Sequence, residues 1–155
     1  MKAILLTIFS ACILLSACSD STEPDLAPET IFQEEGLQVI TSIFNKKAGT
    51  IATLYGNEQA KRSAGAGENE NHIPGEIFKL VTWKLKANPY WFGGNINGPV
   101  QAVESLNVVN TETGAIRVVY KVEKDIVGVL QKDQAARQER INFIFDQTAS
   151  VFPQR

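Results

Sequence analysis

Sulfur and imidazole are nearly missing from this chain of 155 residues, which carries two cysteines, one methionine and one histidine. Both cysteines, Cys12 and Cys18, lie in the first 18 positions, so no residue after them can form a disulfide or a cysteine metal site. One histidine, His72, gives no basis for a Ser-His-Asp arrangement. It also supplies at most one ligand where a metal site draws on several. An excess of one charge is absent as well: 15 basic side chains stand against 17 acidic ones. The basic face that a nucleic-acid partner requires is therefore not indicated. No internal repeat is visible, and the length after a short leader suits one ordinary domain.

Only one long apolar run is present, from residue 3 to 15 behind the positive Met1-Lys2 start. It falls short of the roughly 20 apolar residues that a spanning helix needs, and small residues close it, as in a cleaved secretory signal. Its last four residues, Leu15-Ser16-Ala17-Cys18, resemble the lipobox of bacterial lipoproteins. That resemblance implies a diacylglycerol thioether on Cys18, cleavage before it and a further palmitate-type acyl chain on the new amino group. Residues 1–17 then form the signal peptide, 18–30 a lipidated flexible tether and 31–155 a single domain. Each buried acyl methylene contributes about 0.8 kcal/mol, and two or three chains hold firmly. The membrane is thus the first expected partner. Ser19 after the cysteine favours the outer membrane, while the acidic stretch at 20–25 accompanies surface export in some phyla. The address is read as the outer membrane, lipid-anchored, either periplasm-facing or surface-exposed. The tether itself is polar, acidic and proline-bearing, with too little apolar surface to offset ordering entropy.

Beyond the tether, residues 37–44 and 50–55 are rich in β-branched and aromatic side chains around a polar 45–49 stretch, a hairpin pattern. Asn57 is placed to cap a short helix running to about residue 64. A glycine-rich loop follows at 65–71. After Pro74-Gly75, alternation over 77–85 predicts a strand with a buried middle. Residues 90–99 read as a loop from their glycine and proline content. Two strands, 100–110 and 115–123, are joined in hairpin fashion at 111–114. A last helix is expected from Asp133 to about Ala149, with Ile141, Ile144, Phe145 and Thr148 on one face. The order β-β-α-β-β-β-α predicts an α+β domain: an antiparallel sheet with a short middle helix and a C-terminal helix packed on one side.

The blocks Ile51-Ala52-Thr53-Leu54-Tyr55-Gly56-Asn57-Glu58-Gln59-Ala60 and Pro74-Gly75-Glu76-Ile77-Phe78-Lys79-Leu80-Val81-Thr82-Trp83-Lys84 resemble the cytochrome P-460 domain family. Shared features are a strand ending in Asn before a short helix, a Pro-Gly turn, and an apolar strand closing on Trp-Lys. The similarity continues through Asn88-Pro89 and the strand near residues 103–109. It implies the fold. Named members of that family oxidise hydroxylamine or related nitrogen species, with haem held by Cys-x-x-Cys-His and a lysine cross-link. This chain has no such cysteine motif, and the position three before Trp83 is Leu80. The expectation is accordingly a haem-less member with no cofactor, acting as a small-molecule-binding or structural module and not as an enzyme.

Two alternatives accompany it. One is an oxidoreductase that keeps a noncovalent haem, with His72 as its axial ligand; the plainer reading makes His72 a surface residue. The other is a protein-protein interaction module, with an envelope protein as partner. Its candidate binding surface is the loop of Tyr90, Trp91 and Phe92, three aromatics with permissive glycines. The competing expectation is that Trp91 and Phe92 fold back over the sheet, since large aromatics mostly bury. Trp83 is a further candidate for ligand contact, although its place on an alternating strand suits the core. Glu104 interrupts an apolar strand and reads as solvent-facing, with a buried carboxylate as the alternative. Lys132, Asp133, Arg137, Glu139 and Arg140 read as the wet side of the last helix.

Overall fold

A computed structural model describes residues 27, 29–66, 72–126, 128, 130 and 133–150. The leader, Cys18, most of the tether, Lys132 and the glycine loop at 67–71 lie outside the described residues. The elements are β1 (Gln38–Asn45), β2 (Thr50–Gly56), α1 (Glu58–Ala66), β3 (Ile77–Ala87), β4 (Asn95–Asn110), β5 (Ile116–Asp125) and α2 (Gln134–Phe145). The five strands form one antiparallel sheet in chain order, so the protein is α+β.

Alternation along the strands divides the buried residues into two clusters. Phe78 and Leu80 of β3 join Ile40, Leu54, Leu106 and Val108, and Ala60, Ala64 and Ile144 of the helices contribute to that cluster. The intervening Val81 and Trp83 point the other way and meet Tyr55 and Val103, with Phe32 and Leu37 of the segment before β1 packed against them. That segment runs as a strap. Thr30 donates its N–H to the Asn97 carbonyl at 3.3 Å and accepts from Asn97 Nδ2 at 3.1 Å, while Asn97 N donates to Glu29 at 3.4 Å. Among the described residues the strap thus meets the sheet from Glu29 onward.

Local chemistry explains the joints. Asn57 Oδ1 accepts from Ala60 N at 3.0 Å, capping α1, and its Nδ2 donates to the Gly75 carbonyl at 2.7 Å, tying the helix start to the turn before β3. Gly56 permits that approach, because a Cβ there would lie 2.5 Å from Ile40 Cδ1 and 2.9 Å from Ala60 Cβ. Asp133 caps α2 through the Ala136 N–H at 2.7 Å.

Two boundaries differ from expectation. β4 begins at Asn95, five residues early, with Ile96 and Gly98 buried in it. The register slips on both sides of Trp83, and a Cβ on Gly98 would come within 2.7 Å of the Lys84 carbonyl, so the glycine marks a bulged close approach and not a loop. α2 ends at Phe145, with Asp146 as its C-cap. The chain then extends, Ala149 N bonding the Ala64 carbonyl at 3.1 Å and Ser150 N the Ile40 carbonyl at 3.0 Å. Thr148 accordingly leaves the helix and is exposed.

Candidate functional site

A hollow of about 890 Å³ opens between β1 to β4 and the inner turns of α2. Its origin is side-chain size. Ala48, Ala52, Ala102 and Ala136 line it together with Gly49, so the strands and the helix stand apart without filling the space. Ile43, Leu85, Leu130 and Phe143 supply larger apolar walls, and Lys84, Glu104, Glu139 and Arg140 the charge. Apolar walls with a few converging polar groups are the usual make-up of a small-molecule site.

The polar centre is Glu104, whose side chain is fully buried, which corrects the solvent-facing expectation. It shares its face with Ala102, Leu106 and Val108, all buried, so the alternation of β4 itself carries it inward. Arg140 of α2 grips it bidentately, Nε to Oε1 at 2.9 Å and Nη2 to Oε2 at 2.5 Å, and the Tyr120 hydroxyl donates to Oε1 at 2.5 Å. Arg140 is therefore not part of a wet helix face; its guanidinium also lies 4.9 Å from the Phe143 ring centre. Burial, and then the bond to Glu104, pushes the Tyr120 phenol well above its ordinary value. Burial by itself would lower Arg140, but the Glu104 carboxylate outweighs it and holds the guanidinium above its usual range. The Glu104 carboxylate thus accepts from three donors, two of them on one guanidinium. The guanidinium N–H groups left over can donate to an acceptor on a bound molecule.

His72 lies elsewhere, lining neither this hollow nor a smaller one of about 500 Å³ on the strap side, walled by Phe32, Glu34, Leu37 and Tyr55. Its Nδ1 is 2.7 Å from Glu76 Oε2, and its ring stacks on Phe145 with centroids 3.5 Å apart and meets Phe78 edge-on. Its side chain is only 11 % exposed, so it is not a surface residue. Glu76, fully buried, also accepts from Ser63 Oγ of α1. The carboxylate sits between serine and imidazole, an order that clamps the chain instead of activating a nucleophile. Histidine, cysteine, methionine and tyrosine, the usual axial ligands of haem iron, are all missing from the lining of the large hollow. The donor set there does not fit a haem.

Trp83 is fully buried on the strap side, packed with Tyr55, Val81 and Val103, and lines neither hollow. The aromatic loop does the opposite of folding back. Tyr90 is 58 %, Trp91 74 % and Phe92 fully exposed, on a tight turn closed by Asn88 N to the Gly94 carbonyl at 3.0 Å and Gly94 N to the Trp91 carbonyl at 3.0 Å. Among the described residues there is no group of three or more potential metal ligands, and no helix is long and apolar enough to cross a membrane.

Tyr120 and the alanines carry no signal in the sequence alone, where Arg140 reads as a solvated charge; of the four alanines only Ala102 shares a strand with Glu104. No family model matches this chain, and no curated protein matches its sequence.

Proposed function

We propose that this chain is an envelope lipoprotein, held to the outer membrane through acylated Cys18, whose haem-less, cytochrome P-460-like domain receives a small, largely apolar molecule in the hollow beside Glu104 and Arg140. Both helices cover the same side of the sheet in this reading, and α2 forms the roof of the site. The observation that carries it is the buried Glu104 carboxylate with its partly exposed Arg140 partner at the wall of an alanine-lined space of about 890 Å³. An ion pair placed so costs desolvation and is weak evidence for stability. Its position at a cavity suits it to orient a ligand's polar end. Lys84 on the same wall favours an acceptor or anionic group at that end. The role is binding, with no catalytic residue assigned.

The test uses anilinonaphthalene sulfonate, an apolar probe with an anionic end. Saturable binding to the folded chain is the expected result, weakened about tenfold in Ala136→Leu with unfolding unchanged, and in Arg140→Leu with unfolding still cooperative but at a midpoint lowered by the stranded Glu104. Binding that both variants leave unaltered overturns the proposed site. An oxidoreductase with a noncovalent haem needs an axial ligand that the hollow does not offer, and His72, held to Glu76 through Nδ1, is not among the residues lining it. Added haemin is expected to give no Soret shift that depends on His72.

A further inference from the structure

The exposed aromatics gain a second meaning from what surrounds them. The strand directions place the β1–β2 turn, the β3–β4 turn and the start of the strap at one end of the sheet. Leu85 N bonds the Gly49 carbonyl at 2.9 Å, which sets the two turns side by side, and Thr30 is hydrogen-bonded to Asn97, three residues after Gly94. Lys46, Lys47, Lys84 and Lys86 are exposed at this end, and residues 45–50 and 84–97 include no acid. Acidic side chains that join them are Glu29, accepting from Asn97 N, and Glu139, across the hollow from Lys84. The end therefore combines protruding aromatics with a basic rim.

We infer that Tyr90, Trp91 and Phe92 insert into the interfacial layer of an anionic bilayer, so that the domain stands on the membrane by this end. The occupant follows from two observations. Trp and Tyr prefer the headgroup level of a bilayer, and lysines beside them gain from anionic lipid. The chain also enters the fold at Thr30, beside this same tip, and only 12 positions separate Thr30 from Cys18. A fully extended chain of that length spans about 40 Å, so a lipid-held Cys18 keeps this end of the sheet close to the bilayer. The inference rests in part on the Cys18 anchor, and acyl chains plus an inserted tip would fix orientation where acyl chains alone leave the domain to tumble.

The chain carries its own reporter, because of its two tryptophans Trp83 is fully buried and Trp91 is 74 % exposed. The mature chain is mixed with phosphatidylglycerol–phosphatidylcholine vesicles, and Trp91 emission is read with brominated acyl chains and with aqueous iodide. Expected are quenching by the brominated lipid and protection from iodide on the mixed vesicles, both abolished by Trp91→Phe. Lys46→Gln and Lys86→Gln should each weaken vesicle binding of the unlipidated Cys18→Ser chain about fivefold at low salt and much less at high salt. Iodide-accessible Trp91 on vesicle-bound protein overturns the inference and turns the tip over to a protein partner. Mass spectrometry of the Cys18 peptide is read separately: an unmodified cysteine with lipid-quenched Trp91 removes the anchor and leaves the inserted tip standing.

Discussion

Each face of the sheet carries a buried charge on one of its strands, Glu104 of β4 on one and Lys79 of β3 on the other, and the two are held in different ways. On one face Glu104 is gripped by Arg140, from an element that follows the sheet in the chain. On the strap side the Lys79 ammonium lies 2.5 Å from Glu34, in the segment that precedes it, and 3.3 Å from Glu123 of β5, with Phe32 beneath it. Around Lys79 the bulky Trp83, Val81 and Tyr55 pack together, and the smaller hollow on that side is lined mainly by the strap, not by Lys79. Around Glu104 four alanines leave the space open. A buried charge is thus compatible with a solid core or with a ligand space. What decides is the size of the neighbours, not the charge.

The largest break in this contrast is expected from Trp83→Ala, which empties the strap face and should cost about 4 kcal/mol, measured by urea unfolding. Glu104→Ala strands Arg140 and should cost about 3 kcal/mol, while Glu104→Gln keeps the shape and should cost less. If the faces are independent, the Trp83→Ala, Glu104→Ala pair adds to within about 0.5 kcal/mol. A larger discrepancy would show one cooperative core. Gly56→Ala, which drives a methyl into Ile40 and Ala60, should cost about 2 kcal/mol.

Alkaline titration touches both faces. Burial alone would lower Lys79, but Glu34 and Glu123 outweigh it and raise the ammonium above its ordinary 10.5; Tyr120 is raised from 10.0. Both groups keep their protons in the folded state to higher pH than in the unfolded chain. Their contribution is therefore full below about pH 10 and is lost as pH climbs through the folded values. Urea midpoints should be level to about pH 9.5 and fall beyond it, less steeply in Tyr120→Phe. The smallest effect is reserved for Trp91→Ala, within about 0.5 kcal/mol of the parent, since an exposed tip contributes little to folding.

Much of the architecture was legible because it rests on short-range signals. Alternation over β3 and the Asn57 and Asp133 caps each act within a few residues. What was not legible depends on partners distant in sequence. Gly98 looks like a loop residue until Lys84 is set against it. Glu104 looks solvated until Arg140, 36 positions later, is known to reach it. The general tendency of aromatics to bury held for Trp83 and failed for Trp91, because a tight turn at the end of a hairpin has nothing beneath it to cover.

The strap carries a consequence for the order of events during synthesis. Thr30 closes onto Asn97, 67 positions downstream, and Glu34 onto Lys79, 45 downstream. The first part of the domain to emerge is therefore among the last to find its seat, waiting until β3 and β4 exist to receive it.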